Sequence, residues 1–136
     1  MTEFSKAMTI AASGMLAQNV RLRVISENIA NAESVGTTPG GEPYRRQTVT
    51  FRNTLDRELG ANLVELDRIQ RDRSDFPIRH DPGHPAADAA GQVMLPNVKP
   101  LIELMDLRQA QRSYQANLRV IDIARTMVSR TIELLR

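Results

Sequence analysis

The sequence predicts a mainly α protein with a small β insertion, in which long N- and C-terminal helices form an antiparallel coiled-coil hairpin. From Met8 to Ala32, and again from Leu101 to Leu135, apolar or small residues recur at alternating three- and four-residue steps. That spacing places one apolar stripe along one face of a helix, as in a seam that packs against another helix. The residues between these two stretches are rich in turn signals and alternating apolar positions, which indicates a β-rich middle segment.

Composition limits both the core and the chemistry. The 136 residues are enough for one domain, and aromatic residues make up only 4% with no Trp. The chain has no cysteine, which excludes disulfides, thiol catalysis and thiolate metal sites. Lys and Arg number 18 against 16 Asp and Glu, and arginines alternate with acids over 67–73. This alternation is typical of a solvated face and not of a phosphate-binding stripe.

No targeting or membrane segment is recognised in the sequence. No stretch approaches the ~18 apolar residues that a bilayer span needs. The stretch 8–17 is too diluted by polar residues and glycine for a signal-peptide core, so we interpret it as mature helix. A protein of this kind that works outside the cytoplasm must leave by a route that does not cleave a Sec signal.

The first helix is expected to begin at Thr2 or Ser5 and to end over 31–34, with Gly36 and Pro39 behind it. Gly14 weakens the helix by about 1 kcal/mol relative to Ala, which suggests a close-packing role. Near the helix end, amide side chains can bond the last free carbonyls or reach another helix. Gln18 interrupts the predicted seam, whose members are Met8, Ala11, Met15, Leu22, Ile25, Ile29 and Ala32.

The middle of the chain predicts short extended pieces joined by turns. A bulge would bring Ile69 into line with the apolar residues of the second strand. Pro at 77 favours an edge position for the piece that follows it. The expected elements are, in order, a strand over 44–51, a short helical turn over 55–59, a strand over 62–71, an edge strand over 77–79, a loop over 81–91 and an extended piece over 92–95.

The last helix is expected to start at Pro100, with Glu103 near its positive end. About 36 residues of helix would measure roughly 54 Å. Its seam comprises Leu107, Ala110, Tyr114, Ile121, Ala124, Val128 and Leu135, interrupted by Asn117 and Thr131.

Apolar residues also lie outside both seams. A two-helix hairpin covers only one stripe on each helix, so the surplus residues are expected to be partly exposed unless neighbours cover them. This surplus predicts assembly with further chains. The surplus residues are Leu16, Val20 and Val24 on the first helix, and Ile123, Met127 and Ile132 on the last.

One cluster offers an alternative function. His80, Asp81, His84 and Asp88 are the only group that resembles a metal or acid–base site, so a small metal-binding or enzymatic module centred on His80 and His84 stays open. The prolines and glycine of this stretch oppose the helix that would align two histidines on a metal, and they favour a turn. No nucleophile elbow, phosphate loop or dinucleotide turn is present. We therefore predict no enzyme, no catalytic or metal residue and no cofactor.

Several motifs occur in a fixed order along most of the chain. They are SGM at 13–15, SENIANA at 26–32, PYRR at 43–46, DPGHP at 81–85 followed by Ala87 and Asp88, PNVKP at 96–100 and RSYQAN at 112–117. In this order they resemble the bacterial flagellar basal-body rod family, part of the axial rod and hook proteins, and most closely its proximal rod members. The stretch 36–41 is longer than a minimal link, which is a mild departure.

The resemblance implies a non-enzymatic subunit of the rod, the helical drive shaft of the flagellar motor. It implies an N-terminal helix over 1–35 and a C-terminal helix over 98–136 in the inner coiled-coil layer, with a β-rich insertion over 36–97. It implies export by the flagellar type III apparatus and a periplasmic rod location. Implied partners are FlgB, FlgF and FlgG types, FliE and further copies of the chain, without nucleic acid or small-molecule substrate. The expected interface comprises Met15, Leu22, Ile25, Asn28, Ile29, Asn31, Tyr114, Asn117, Ile121, Ala124 and Val128, with the three asparagines making interhelix amide contacts.

Overall fold

The computed structural model describes residues 2–136 and has a long helix at each end of the chain. The predicted order of helix, β-rich middle and helix is confirmed. The elements are α1 (Glu3–Ala30), β1 (Gln47–Asp56), β2 (Ala61–Arg71), β3 (Ile78–His80), β4 (Gln92–Met94) and α2 (Pro100–Leu134). None of the helices among these residues is long and apolar enough to cross a membrane.

Both helices begin where their capping chemistry predicts. Thr2 Oγ1 accepts a hydrogen bond from the Ser5 backbone N–H at 3.2 Å, which satisfies one of the free donors of the first turn. Pro100 takes the first position of α2, where its missing N–H is no loss. At the other end of α1, the Asn31 side chain donates to the Glu27 carbonyl at 2.8 Å. The side-chain amide of Asn31 therefore caps the C-terminal end of α1.

The strands form two separate two-stranded sheets. β1 pairs with β2, and β3 pairs with β4 in antiparallel register, with Arg79 opposite Val93. The piece after Pro77 was expected to extend the first sheet at its edge. It forms the second sheet instead, because the extended piece 92–94 supplies it with a partner.

The short helical turn expected over 55–59 is wrong, because β1 continues through Asp56. Asp56 Oδ1 then accepts the backbone N–H groups of Glu58 and Leu59 at 3.0 and 3.1 Å, which is an Asx-type turn. Gly60 closes the turn with a φ of 65°, in the left-handed region that favours glycine. β1 also starts later than expected, at Gln47 and not at Tyr44.

The structure divides into two compact units. The first consists of 2–22, Val49–Arg68 and Arg108–Arg136. Within it the two helices run antiparallel, since Arg21 bonds Gln109 at 3.2 Å while the earlier Gly14 lies against the later Asn117. The buried side chains of this unit are mostly small, which lets the helix backbones approach closely: Ala11, Ala17, Leu59, Ala110 and Ala124.

The second unit consists of Arg23–Thr48 and Ile69–Leu107. Its interior combines apolar residues with buried polar ones. The apolar members are Val24, Ile25, Ala86, Val93 and Val98, and the buried polar members are Asn28, Asn97 and Glu103. Because buried polar groups need partners, this unit is specified by hydrogen bonds as much as by packing.

The seams are covered as predicted, apart from the C-terminal end of α2. Every seam residue of the first helical stretch is buried or half-buried, whereas Thr131 on α2 and Leu135 directly after α2 are exposed. Of the surplus residues, Leu16 is 69% exposed, Ile123 57% and Met127 49%, and Ile132 is exposed too. The expectation for Val24 is wrong, since it is only 2% exposed. The expectation considered only two paired helices and left out the β-rich segment. That segment contacts α1 at Asn28, one turn beyond Val24, where the Asn28 side chain bonds Gln47.

Candidate assembly site

The eleven predicted interface residues all lie on covered faces of the chain. Ile25, Asn28 and Ala124 are buried and the other eight are half-buried. Ten of them lie on α1 or α2, and Asn31 directly follows α1. Their role between subunits stays a prediction, because every one of them also contributes to packing within the chain.

Asn28 is the centre of a hydrogen-bond hub in the second unit. Its Oδ1 accepts the Gln47 backbone N–H at 2.9 Å and the Tyr44 hydroxyl at 2.8 Å. Its Nδ2 donates to the Gln47 carbonyl at 2.8 Å and lies 3.5 Å from Glu103 Oε2 on α2. One amide thus pairs both backbone groups of the first residue of β1. This two-sided pairing fixes the start of β1 against the end of α1.

Arg46 is the centre of an ion cluster next to this hub. Its Nε donates to Glu103, which is 1% exposed, and its Nη1 lies 3.2 Å from Asp72 Oδ2. Asp106 approaches the same guanidinium at 3.9 Å. Three carboxylates therefore surround one cation, and the buried one depends on it most. Arg46 joins the chain before β1 to α2 and to the end of β2.

Asn97 extends the cluster toward the loop before α2. Its Oδ1 accepts the Arg46 backbone N–H at 2.7 Å, and its Nδ2 donates to the Asp72 carbonyl at 3.0 Å. The Arg45 guanidinium bonds the same carbonyl at 2.8 Å and stacks 4.1 Å from the Phe76 ring centre. Such a planar cation can serve both contacts at once.

The pKa of Asp72 is lowered from its ordinary value of 3.8, first because the Ser74 backbone N–H donates to it and further because Arg46 lies beside it. Burial of Tyr44, together with the negative charges of Glu27 and Glu103, raises the pKa of its hydroxyl above 10.0. Both shifts favour the protonation states that these contacts need near neutral pH. The ion cluster needs an ionised Asp72, and the hub needs a neutral Tyr44 hydroxyl that donates to Asn28.

Acid is therefore expected to weaken the second unit through Asp72. A lowered folded-state pKa contributes stability above the unfolded value, and that contribution is lost as pH falls through the folded value. Urea unfolding followed by circular dichroism between about pH 5 and about pH 2 should show a steeper loss of stability in the wild type than in Asp72→Asn. Equal slopes for the two chains would contradict this role.

Among Gln18, Asn31 and Asn117, Asn117 is the one whose side chain is seen against the opposite helix within the described residues. The Asn117 amide lies so close to Gly14 that a Cβ there would sit 2.7 Å from Nδ2, which supports the close-packing role predicted for this glycine. Gln18 Oε1 is buried without a hydrogen-bond partner among the described residues. Asn31 bonds Glu27 in its own helix and accepts from Ser34.

The histidine loop is held by local hydrogen bonds. His84 Nδ1 accepts the Ala86 backbone N–H at 3.0 Å, and the His84 N–H donates to the Asp81 carbonyl at 3.1 Å. Asp88 Oδ1 accepts the N–H groups of Ala90 and Gln92. Residues 2–136 contain no group of three His, Cys, Asp or Glu side chains placed to hold a metal. The observed contacts are those of turn residues.

Sequence reasoning missed the partners of the hub. Glu103 was assigned only to the positive end of α2, and Arg46 only to a family motif. One signal was available, since Glu103 lies four residues before Leu107 and hence in phase with the apolar seam of α2. A charged residue on an apolar stripe requires a buried counter-charge. Its partner is 57 residues away in sequence and no periodicity identifies it.

The two ends of the chain match families of known proteins. Residues 8–36 match the family described as flagella basal body rod protein, and residues 89–134 match the family described as flagellar basal body rod FlgEFG protein C-terminal. With two terminal helices, a small β middle and a hub that ties them together, these matches define a structural protein of the flagellar rod, not an enzyme.

Full-length relatives narrow the class to one family. A flagellar basal-body rod protein FlgC from Agrobacterium fabrum is 52% identical over 100% of this chain and 98% of the relative. Proteins of the same name from Escherichia coli O6:H1 and Bacillus subtilis are 37% and 35% identical, over 92% and 98% of this chain and 92% and 99% of their own lengths. The chain belongs to the FlgC family of flagellar basal-body rod proteins.

Proposed function

We propose that this chain is a subunit of the proximal rod and joins other rod proteins in a helical drive shaft that transmits motor torque. The observation that carries the proposal is the exposed apolar surface of α2 in the first unit, with Ile123 57% and Met127 49% exposed. Isolated exposed apolar residues are ordinary, but a periodic series on one long helix is a docking surface. Membership of the FlgC family indicates that the partners are other proteins of the flagellar rod.

The proposed division of labour follows the three segments of the chain. Residues 1–35 and 98–136 form the inner layer, in which helices of neighbouring subunits pack as coiled coils, and 36–97 form an outer element. In this layer the half-buried residues of the predicted interface complete their burial, next to buried Ile25, Asn28 and Ala124; they are Met15, Leu22, Ile29, Asn31, Tyr114, Asn117, Ile121 and Val128. The antiparallel contacts of Arg21 and Gly14 with α2 support this arrangement.

Partners and location are proposed from the family. The expected neighbours are the FlgB, FlgF and FlgG types, FliE and further copies of this chain. The subunit is exported by the flagellar type III apparatus without a cleaved signal peptide and is located in the periplasmic rod. Torque then passes through the hub of Asn28 and Arg46, which joins the ends of both helices to the β-rich segment within the second unit.

A charged residue on the exposed face of α2 is expected to block rod completion without unfolding the chain. Ile123→Asp places a carboxylate where a neighbour would bury a side chain, and desolvating it opposes docking. The matched control is Ser129→Asp, an exposed site on the same helix among Asp122, Arg125 and Arg130. In cells that lack the native copy, the first variant should abolish swimming and complete rods in purified basal bodies, while the control retains both.

Helix content by circular dichroism should be unchanged in both variants, which separates assembly from folding. Complete rods at wild-type number with Ile123→Asp would contradict the proposed function.

A further inference from the structure

A polar cleft of about 600 Å³ opens in the second unit, beside the start of β1 and the end of β2. Its walls comprise Arg45 before β1, Gln70 and Arg71 at the end of β2, and Arg73 beyond it. Three guanidinium groups thus share one cleft, and no carboxylate of residues 2–136 lines it. A cleft of this volume is larger than a single inorganic anion and suits a short segment of a larger ligand.

Strand geometry sorts the alternating charges at the end of β2 onto opposite sides. Successive side chains of an extended chain point to opposite sides, so Arg71 and Arg73 share one side and Asp72 takes the other. The Asp72 carboxylate lies 3.2 Å from Arg46 and accepts a backbone N–H two residues on at 2.9 Å. The alternation that is typical of a solvated face in the sequence therefore contains a basic site that Asp72 does not neutralise.

Arg45 is held in place by contacts within the chain. Its Nη1 donates to the carbonyls of Asp72 and Ser74 at 2.8 and 3.2 Å, and its Cζ lies 4.1 Å from the centre of the Phe76 ring. Its Nε and Nη2 keep donors without a partner among the described residues.

The other two arginines of the cleft have no ion-pair partner within residues 2–136. Guanidinium groups held close together without a counter-charge repel one another, and an anion bound between them relieves this repulsion. The cleft is thus oriented for an anionic ligand before that ligand arrives.

We propose that the cleft binds an acidic segment of a partner protein in the rod, with Asp or Glu carboxylates on the three guanidinium groups. The planar fork of a guanidinium matches a carboxylate in bidentate geometry. A lipid surface fits less well, because no apolar side chain lines the cleft to enter a bilayer. A nucleic acid would need a longer basic stripe than these three residues provide. The inference rests on the proposed function for the kind of partner, and it adds a contact of the β-rich segment.

The occupant is a different protein, because the close pairs of acids in this chain are already engaged. Acids within four residues of each other stand at 56 and 58, 65 and 67, 72 and 75, and 103 and 106. In each pair at least one carboxylate is held by an arginine or, at Asp56, by backbone N–H groups. A second copy therefore offers no free acidic segment of this kind.

Photo-crosslinking in the assembled rod tests the contact. Benzoylphenylalanine replaces Gln70 in the full-length chain, which is expressed in motile cells in place of the native copy, and basal bodies are purified after irradiation. The charge test adds Arg73→Glu to this chain. The matched control adds Arg57→Glu instead, at an exposed arginine in the turn between β1 and β2, so that the net charge changes equally. Arg71→Gln, which removes a charge without reversing it, is the milder variant.

We predict an adduct with a different protein whose linked peptide carries neighbouring Asp or Glu residues. Relative to the amount of chain in the basal bodies, Arg73→Glu should lower the adduct about tenfold and Arg71→Gln by less, while Arg57→Glu leaves it unchanged. An adduct with a second copy, a lipid or a nucleic acid would overturn the inference, as would no adduct or equal yields with Arg73→Glu and Arg57→Glu. Absence of the chain without charge substitutions from purified basal bodies would instead count against the proposed function itself.

Discussion

Arg46→Ala is expected to lower the free energy of unfolding by about 3–5 kcal/mol, the cost of breaking a buried ion pair. The reason is Glu103, which is 1% exposed and has its cationic partner in Arg46. Without that cation a carboxylate is left buried, and Asp72 and Asp106 lose the charge that separates them. Urea unfolding of the purified chain followed by circular dichroism gives the difference.

The matched control is Arg71→Ala, an exposed arginine of the same unit, which should change stability by less than about 0.5 kcal/mol. The double variant Arg46→Leu/Glu103→Leu tests the cause. It removes the buried charge together with its partner, and should recover part of the loss. Equal stability of Arg46→Ala and wild type would refute the claim that this pair holds the second unit together.

Asn28→Ala is expected to lower the free energy of unfolding by about 3 kcal/mol, because it leaves several partly buried groups unpaired at once. The Gln47 N–H and C=O both lose their partner, and so does the Tyr44 hydroxyl. Amide hydrogen exchange should show the start of β1 opening first, since Gln47 is held there by this side chain.

Asn19→Ala provides the control, because Asn19 is an exposed asparagine on the same helix and its loss should be close to neutral. Asn28→Asp separates geometry from charge. It keeps the oxygen that accepts from Gln47 and Tyr44. It also places a carboxylate oxygen where Nδ2 now lies 3.5 Å from Glu103 Oε2. We expect it to be as damaging as Asn28→Ala; a wild-type value for Asn28→Asp would show that the Nδ2 donor is dispensable.

The local signals of the sequence predicted the helices well. The helix starts at Thr2 and Pro100 and the 3-4 spacing of apolar residues within each helix depend only on residues one or two turns apart. They can therefore be recognised without knowledge of the tertiary structure. The same spacing correctly assigned Leu16, Ile123 and Met127 to exposed faces. It failed at Val24, which is only 2% exposed.

Long-range and side-chain-directed features could not be predicted in this way. The end of β1 depends on Asp56 folding its carboxylate back on Glu58 and Leu59, and the pattern around Leu55 fitted a helical turn equally well. The ion cluster depends on the pairing of Arg46 with Glu103, which are 57 residues apart in the sequence. Such pairs are set by tertiary structure, so only the in-phase position of Glu103 hinted at them.

The central claim is that the exposed apolar residues of α2, among them Ile123 and Met127, are open in the free subunit and covered in the rod. Ile123→Cys in the otherwise cysteine-free chain measures this through its rate of reaction with a maleimide. Glu58→Cys, in the exposed turn between β1 and β2, reports the outer segment as a control. We predict that both thiols react rapidly in the free chain and that only the one at 58 still reacts in purified basal bodies. Equal reactivity of the thiol at 123 before and after assembly would contradict the account.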